Sequence, residues 1–154
     1  MTYTIGKAAK IIGVTEHTLR YYDKEGMLPF VERNNSGIRV FKESDFEWLF
    51  IIECLKKTGM TLKDIKTFVD WGMRGDDTID QRYEMFIVQR KNVEAQIAEL
   101  NEALDVLKYK CWYYETAKAA GSLAVHDTIL SEDIPEDIRY VKEKSKVISM
   151  LDTR

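Results

Sequence analysis

Cysteine, histidine and long apolar runs are what this chain of 154 residues has least of. Its two cysteines, Cys54 and Cys111, are too few and too far apart for the disulfide framework of a small secreted domain. The two histidines, His17 and His126, form no nucleophile–base constellation, and a thiol-based catalyst would rest on Cys54 alone, so no enzyme is expected. Cys111 with His126 some way on falls short of a metal-ligand set, and neither a metal nor another cofactor is expected. No stretch reaches transmembrane length and no signal-peptide pattern opens the chain, so a cytoplasmic protein without a membrane partner is expected. A basic surplus is missing too. The net charge is −3; residues 1–71 hold 11 Lys+Arg against 10 Asp+Glu, and residues 72–154 hold 12 against 16. That balance falls short of the basic footprint of a strong nucleic-acid binder. Any such reading therefore rests on placement, with Arg20, Lys24, Arg33, Arg39 and Lys42 clustered near the N-terminus and Glu43, Asp45 and Glu47 following them.

What is present begins with residues 4–41. Ile5, Ala8, Ala9 and Ile12 recur at helical spacing, and Ala9 lets a second helix cross closely. Gly13 can take the positive φ of a tight helix-to-helix turn, and Val14 plugs the junction. Thr15 is a good N-cap for a second helix with Glu16 in its first turn; Gly26 ends that helix and Pro29 forbids its restart. Leu19 and Tyr22 face back toward the first helix, which leaves Glu16, His17, Thr18, Arg20, Tyr21 and Lys24 outward. A second helix presented this way is sized for the major groove. Arg20 could bond a base edge or a phosphate, and the hydroxyls of Tyr21 and Tyr22 could donate to phosphates; the competing reading makes both tyrosines core aromatics. The segment Phe30–Phe41 alternates around the turn-forming Asn34-Asn35-Ser36-Gly37, so two short strands with Arg33 and Arg39 flanking the turn are expected, both arginines able to lie beside a phosphate backbone.

Thr18, Arg20, Tyr21, Tyr22, Asp23, Gly26, Met27, Arg33, Gly37, Arg39 and Phe41 together resemble the N-terminal winged-helix signature of MerR-family transcription regulators. That signature typically reads Thr-x-Arg-Tyr-Tyr-Glu, a Gly-Leu pair, an Arg and Gly-Tyr-Arg-x-Tyr. The departures are Asp23, Met27, Ile38 and Phe41 in place of Glu, Leu, Tyr and Tyr. The resemblance spans residues 3–71 closely and the remainder in layout.

Beyond the wing, Ser44-Asp45-Phe46-Glu47 reads as a capping box opening a helix with Trp48, Leu49, Ile52 and Leu55 as its stripe and Gly59 as its stop. Thr61-Leu62-Lys63-Asp64 opens another, with Ile65, Phe68 and Val69 buried and Gly72 as its stop. Lys56, Lys57, Thr61 and Lys63 around the intervening turn are placed like the family's second wing, where a helix N-terminus could hold a phosphate, or form a solvated basic turn. After the break Gly72–Asp77, Thr78 and Gln81 begin a long helix. Tyr83, Phe86, Arg90, Val93, Ile97, Leu100, Leu104, Leu107, Cys111 and Tyr114 then keep a 3-4 spacing that argues for a coiled-coil seam. Such a stripe needs a partner, most simply its own copy. Arg90 either sets the register of that seam or marks a splayed helix end. The tail carries Ile138, Val141, Val147, Ile148 and Leu151, enough for a short helix or two over the rod.

The expected fold is mainly α: a winged helix-turn-helix domain with a second helix pair at 1–72, a linker at 73–78, a coiled-coil dimerisation helix at 79–119 and a short effector or capping segment at 120–154. The resemblance implies a homodimer with antiparallel rods that reads a pseudo-palindromic operator and distorts promoter DNA with an overlong spacer for RNA polymerase. It also aligns Cys54 with the single cysteine of an aldehyde- and thiol-stress subgroup, implying an electrophile or small-molecule effector. Against that, Cys54 reads as a buried residue of the Trp48–Leu55 stripe. Cys111 reads as a seam residue. The competing functions are a DNA-bending architectural protein or repressor without effector, and a coiled-coil adaptor.

Overall fold

The computed structural model describes the backbone of residues 1–151 and the side chains of residues 1–144, so Val147, Ile148 and Leu151 of the tail lie outside the described side chains. The elements run β1 (Thr2–Tyr3), α1 (Ile5–Ile12), α2 (Glu16–Lys24), β2 (Glu32–Arg33), β3 (Arg39–Lys42), α3 (Glu43–Lys57), α4 (Leu62–Arg74), α5 (Ile79–Ala120) and α6 (Glu136–Leu151), with 3-10 turns at Asp76–Thr78, Leu123–Asp127 and Ser131–Asp133. Two compact units divide the chain, Met1–Val93 and Glu94–Arg154.

In the first unit, the helix-turn-helix forms where local chemistry demands it. The Thr15 hydroxyl accepts from the Thr18 amide at 3.1 Å and starts α2, satisfying an amide that has no partner inside the helix. Gly13 takes φ 79°, and its amide donates to the Ala9 carbonyl. Leu19 and Tyr22 turn inward as their spacing requires, joining Ala8, Ala9, Met27, Leu28, Phe41, Leu49, Ile52, Ile65 and Val69 in one core. The sheet has the order β1-β3-β2, all antiparallel. Its outer strand β1 pairs Thr2 with Lys42 and Tyr3 with Phe41.

Two boundaries differ from the sequence expectation. α3 starts at Glu43 with Lys42 as its N-cap; Asp45 reaches back to accept the Lys42 amide at 2.8 Å, so the strand runs straight into the helix and Ser44 is not the cap. α4 does not stop at Gly72 but continues to Arg74, with Gly75 as its C-cap. Gly72 has another task. A Cβ there would lie 2.1 Å from Cη2 of Trp48, so only glycine admits that indole against α4. Trp48 in turn stacks on Phe30 at 5.8 Å and meets Phe68 at 5.8 Å.

Gly75 and the turn Asp76–Thr78 form the corner between α4 and α5, so Met73 and Arg74 of the expected linker belong to α4. Fully buried Thr78 donates its hydroxyl to the Trp71 carbonyl at 2.6 Å, and Arg82 donates to the Gly75 carbonyl at 2.9 Å. The first stretch of α5 belongs to this unit. Gln89 donates to the Thr58 carbonyl at 3.1 Å, and Phe86 packs edge-on against Phe68 at 5.2 Å. Phe86, expected in the inter-chain seam, therefore has an aromatic partner in its own chain.

In the second unit, α6 lies on α5. Ala117, Ile134, Ile138 and Val141 are buried, Tyr140 donates to Asp105 at 2.8 Å, and Lys144 pairs with Glu102 at 2.9 Å. The His126 ring stacks on Tyr113 with centroids 3.6 Å apart and donates through Nε2 to the Tyr113 carbonyl. Among the described residues no helix is long and apolar enough to cross a membrane.

Candidate nucleic-acid interface

α2 presents Glu16, His17, Arg20, Tyr21 and Lys24 to solvent, with Thr15 at its cap exposed and Thr18 half-buried. Arg20, half-exposed, donates to Glu16 at 2.8 Å one turn earlier. That pair holds the guanidinium along the helix face, and an exposed ion pair of this kind is weak enough for a stronger anion to displace. Tyr21 is exposed, its ring 6.4 Å from that of Tyr22.

Of the two readings open for Tyr22, the structure takes the core aromatic and not the phosphate donor. Tyr22 is 1% exposed, and its hydroxyl donates to Glu53 at 2.6 Å and accepts from Lys56 at 2.8 Å. Burial first, then the hydrogen bond and charge of Glu53, push this phenol well above its ordinary value. A side chain so enclosed supplies packing, and of the two tyrosines only Tyr21 has a free edge for a phosphate.

The wing turn closes as its residues predict. Asn34 accepts through Oδ1 from the amides of Ser36 at 3.0 Å and Ile38 at 2.9 Å, an Asx turn. The register sets Arg33 directly opposite Arg39. Two like charges in that position repel, and the structure resolves the conflict with Asp23 of α2. Its Oδ2 accepts from Arg33 Nη2 at 3.0 Å and is ion-paired with Arg39. Arg33 also donates through Nη1 to the Gly37 carbonyl. Arg33 remains half-exposed whereas Arg39 is 21% exposed, so the two arginines are not equivalent.

Two family models match the chain: MerR HTH family regulatory protein over residues 3–70, and MerR, DNA binding, over residues 46–109. An HTH-type transcriptional regulator of Haemophilus influenzae is 54% identical over 123 residues, which is 80% of this chain and 91% of that protein. The chain belongs to the MerR family. It is a DNA-binding transcription regulator by that membership, not an enzyme. Among solved structures, this MerR chain is similar to HiNmlR, a MerR family regulator lacking the sensor domain and crystallised bound to promoter DNA. The match has a TM-score of 0.75 and 50% identity over 88% of this chain and 98% of that one. A MerR family regulator from Bacillus thuringiensis matches with a TM-score of 0.67 and 42% identity, over 72% of this chain and 97% of that one.

In the second helix pair of this MerR chain, Lys57 and Lys63 are exposed. Thr61 caps α4 through the Asp64 amide at 3.1 Å and donates to the Asp64 carboxylate at 2.7 Å. The acidic side chain thus occupies the helix N-terminus where a phosphate would sit, so the lysines rather than the cap are the cationic element of this turn. Lys56, expected around this turn, instead donates to Tyr22. Cys54 itself is exposed, on the solvent side of α3 rather than in the Leu49–Ile52–Leu55 stripe.

The contacts of Asp23 with the wing arginines, and of Glu53 and Lys56 with Tyr22, escaped the sequence reading. The alternation around Asn34–Gly37 placed the two arginines opposite each other, but nothing local names the carboxylate that joins them.

Proposed function

We propose that this MerR-family chain acts as a homodimer that reads a pseudo-palindromic promoter operator, one winged head per half-site, and distorts an overlong promoter spacer for RNA polymerase. The observation that carries the reading is the condition of α5 beyond the head. α6 covers one face of it, through Asp105 and Glu102, while Ile97, Leu100, Leu104, Leu107 and Tyr114 remain between 47% and 70% exposed along an adjacent stripe. A row of large apolar side chains in solvent is relieved by pairing with its own copy, at ~25 cal/mol per Å² of apolar surface covered. A two-fold pair of helix-turn-helix heads matches an inverted repeat. The DNA contacts assigned to each head are Thr15, His17, Thr18, Arg20, Tyr21, Lys24 and Arg33, with Lys57 and Lys63 from the second helix pair; Arg39 acts behind Arg33.

HiNmlR, crystallised on promoter DNA, supports the same reading. The effector is an electrophile reacting at Cys54, for which the exposure of that thiol is the support. Leu100→Lys tests the assembly: sedimentation should find monomers that have lost affinity for inverted-repeat fragments recovered by genome-wide mapping. A dimer that persists in the variant would refute the seam.

A further inference from the structure

The wing carries two arginines whose guanidinium groups a phosphate could take, yet both already share one carboxylate. Arg33 and Arg39 face each other across β2 and β3, and Asp23 Oδ2 lies between them, 3.0 Å from Arg33 Nη2 and ion-paired with Arg39. The Asp23 and Arg39 side chains are 18% and 21% exposed, and Arg39 Nε is buried with no hydrogen-bond partner among the described residues. To a guanidinium, a carboxylate and a phosphate offer the same paired oxygen acceptors.

We propose that Asp23 is a specificity-determining residue of the DNA-binding head: by holding both wing arginines on one carboxylate, it limits the charge the wing offers to any duplex. The inference rests on the DNA-binding reading above. Two cations and one anion leave the wing a single surplus positive charge. Affinity that depends only on charge is the same for every sequence, because it comes from phosphates and released counterions. Restraining it leaves discrimination to the side chains of α2 that reach base edges, Arg20 first among them. Asp23 also joins the wing to α2, so the arginines meet the backbone at a set distance from the recognition helix.

The test uses the full chain and a random-sequence duplex about two helical turns long, with affinity followed by fluorescence anisotropy across a salt series. Asp23→Asn should steepen the dependence of log K on log salt by about 0.9 per head, one additional phosphate charge, and tighten binding at low salt. Its preference for a mapped operator over the random duplex should fall. The double variant Asp23→Asn/Arg39→Gln restores the wing's charge and should return the slope to the wild-type value. Asp23→Ser provides a second route to the same loss of charge, with circular dichroism reporting the fold of each variant. An unchanged slope in folded Asp23 variants would overturn the inference while leaving DNA binding intact. Loss of fold in both would also overturn it, in favour of a purely structural carboxylate. Wild-type protein that binds no duplex would remove the DNA-binding reading and this inference together.

Discussion

Tyr22 donates its hydroxyl to Glu53 at 2.6 Å across 31 residues of sequence, and this bond turns a residue of the recognition helix into a strut between α2 and α3. Lys56 donates to the same oxygen, and its ammonium lies 5.2 Å from the ring centroid. A carboxylate, a phenol and an ammonium thus satisfy one another at the edge of the core, where any one left alone would be costly.

Tyr22→Phe removes the link between the two ionised groups and should cost about 1–2 kcal/mol of stability by urea unfolding. Operator affinity measured well below the melting temperature should be unchanged, since the ring still packs; a loss of affinity without a loss of stability would restore Tyr22 to the contact surface. The variant should also change alkaline behaviour. The folded pKa of Tyr22 lies above its ordinary 10.0. Its contribution is therefore fully present below pH 10.0 and is lost as pH rises toward the folded value. Tyr22→Phe should unfold less steeply than wild type above that point.

Gly72→Ala should destabilise the head even though alanine is the better helix former. The added methyl would fall 2.1 Å from Trp48 Cη2 and 2.9 Å from Cζ3, against an indole that stacks on Phe30 and meets Phe68, one helical turn before Gly72. Overpacking of this kind costs about 1–3 kcal/mol. Urea unfolding and Trp fluorescence would report it, and a variant as stable as wild type would show that Trp48 can swing aside.

The helices were legible because their signals are local. Thr15 and Thr61 are caps read from one residue and its successors, and Leu19, Tyr22, Ile65, Phe68 and Val69 mark buried faces by periodicity alone. What escaped depends on residues distant in sequence. β1 is two residues long and exists because Tyr3 pairs with Phe41. Lys42 caps α3 because β3 delivers the chain directly into the helix, which made Ser44 the wrong cap. Glycine usually stops a helix, but Gly72 lies inside α4 because the Trp48 indole packs against its Cα. In the interface, α2 showed its outward set in the sequence. The pairing of Asp23 with the wing, and of Phe86 with Phe68, could not be read from either segment separately.

In the second unit, pH should loosen the join between α6 and α5 from the acid side. The hydrogen bond from Tyr140, then that from Lys108, holds the Asp105 carboxyl below its ordinary 3.8. A folded value below the unfolded one stabilises above pH 3.8, and that contribution is lost as pH falls through the lower folded value. Amide hydrogen exchange in the first turns of α6 should accelerate in that range. Tyr140→Phe should move the acceleration toward pH 3.8, and identical profiles would show that the bond does not carry the docking.

Arg20→Ala should weaken operator binding about 10- to 100-fold, the range for losing a base-edge contact of this type. Arg20 is half-exposed and, among the described residues, bonded to Glu16 alone, so its loss leaves the core and the α5 stripe untouched. Sedimentation should still find the wild-type assembly. Affinity equal to wild type at fixed salt would count against the docking of α2 in the groove.

Cys54→Ser should abolish the transcriptional response to electrophiles while leaving operator affinity within about twofold of wild type, since the thiol is exposed on α3 and lies outside the buried core. Both cysteines are exposed in a single chain. Cys111 lies on the Leu107–Tyr114 stripe, so pairing of the rods would cover it and leave Cys54 the accessible thiol. Alkylation of the assembled protein with iodoacetamide, read by mass spectrometry, should therefore label Cys54 first, and Cys111→Ser should keep the response. Preferential labelling of Cys111, or a full response in Cys54→Ser, would move the sensing chemistry elsewhere in the chain.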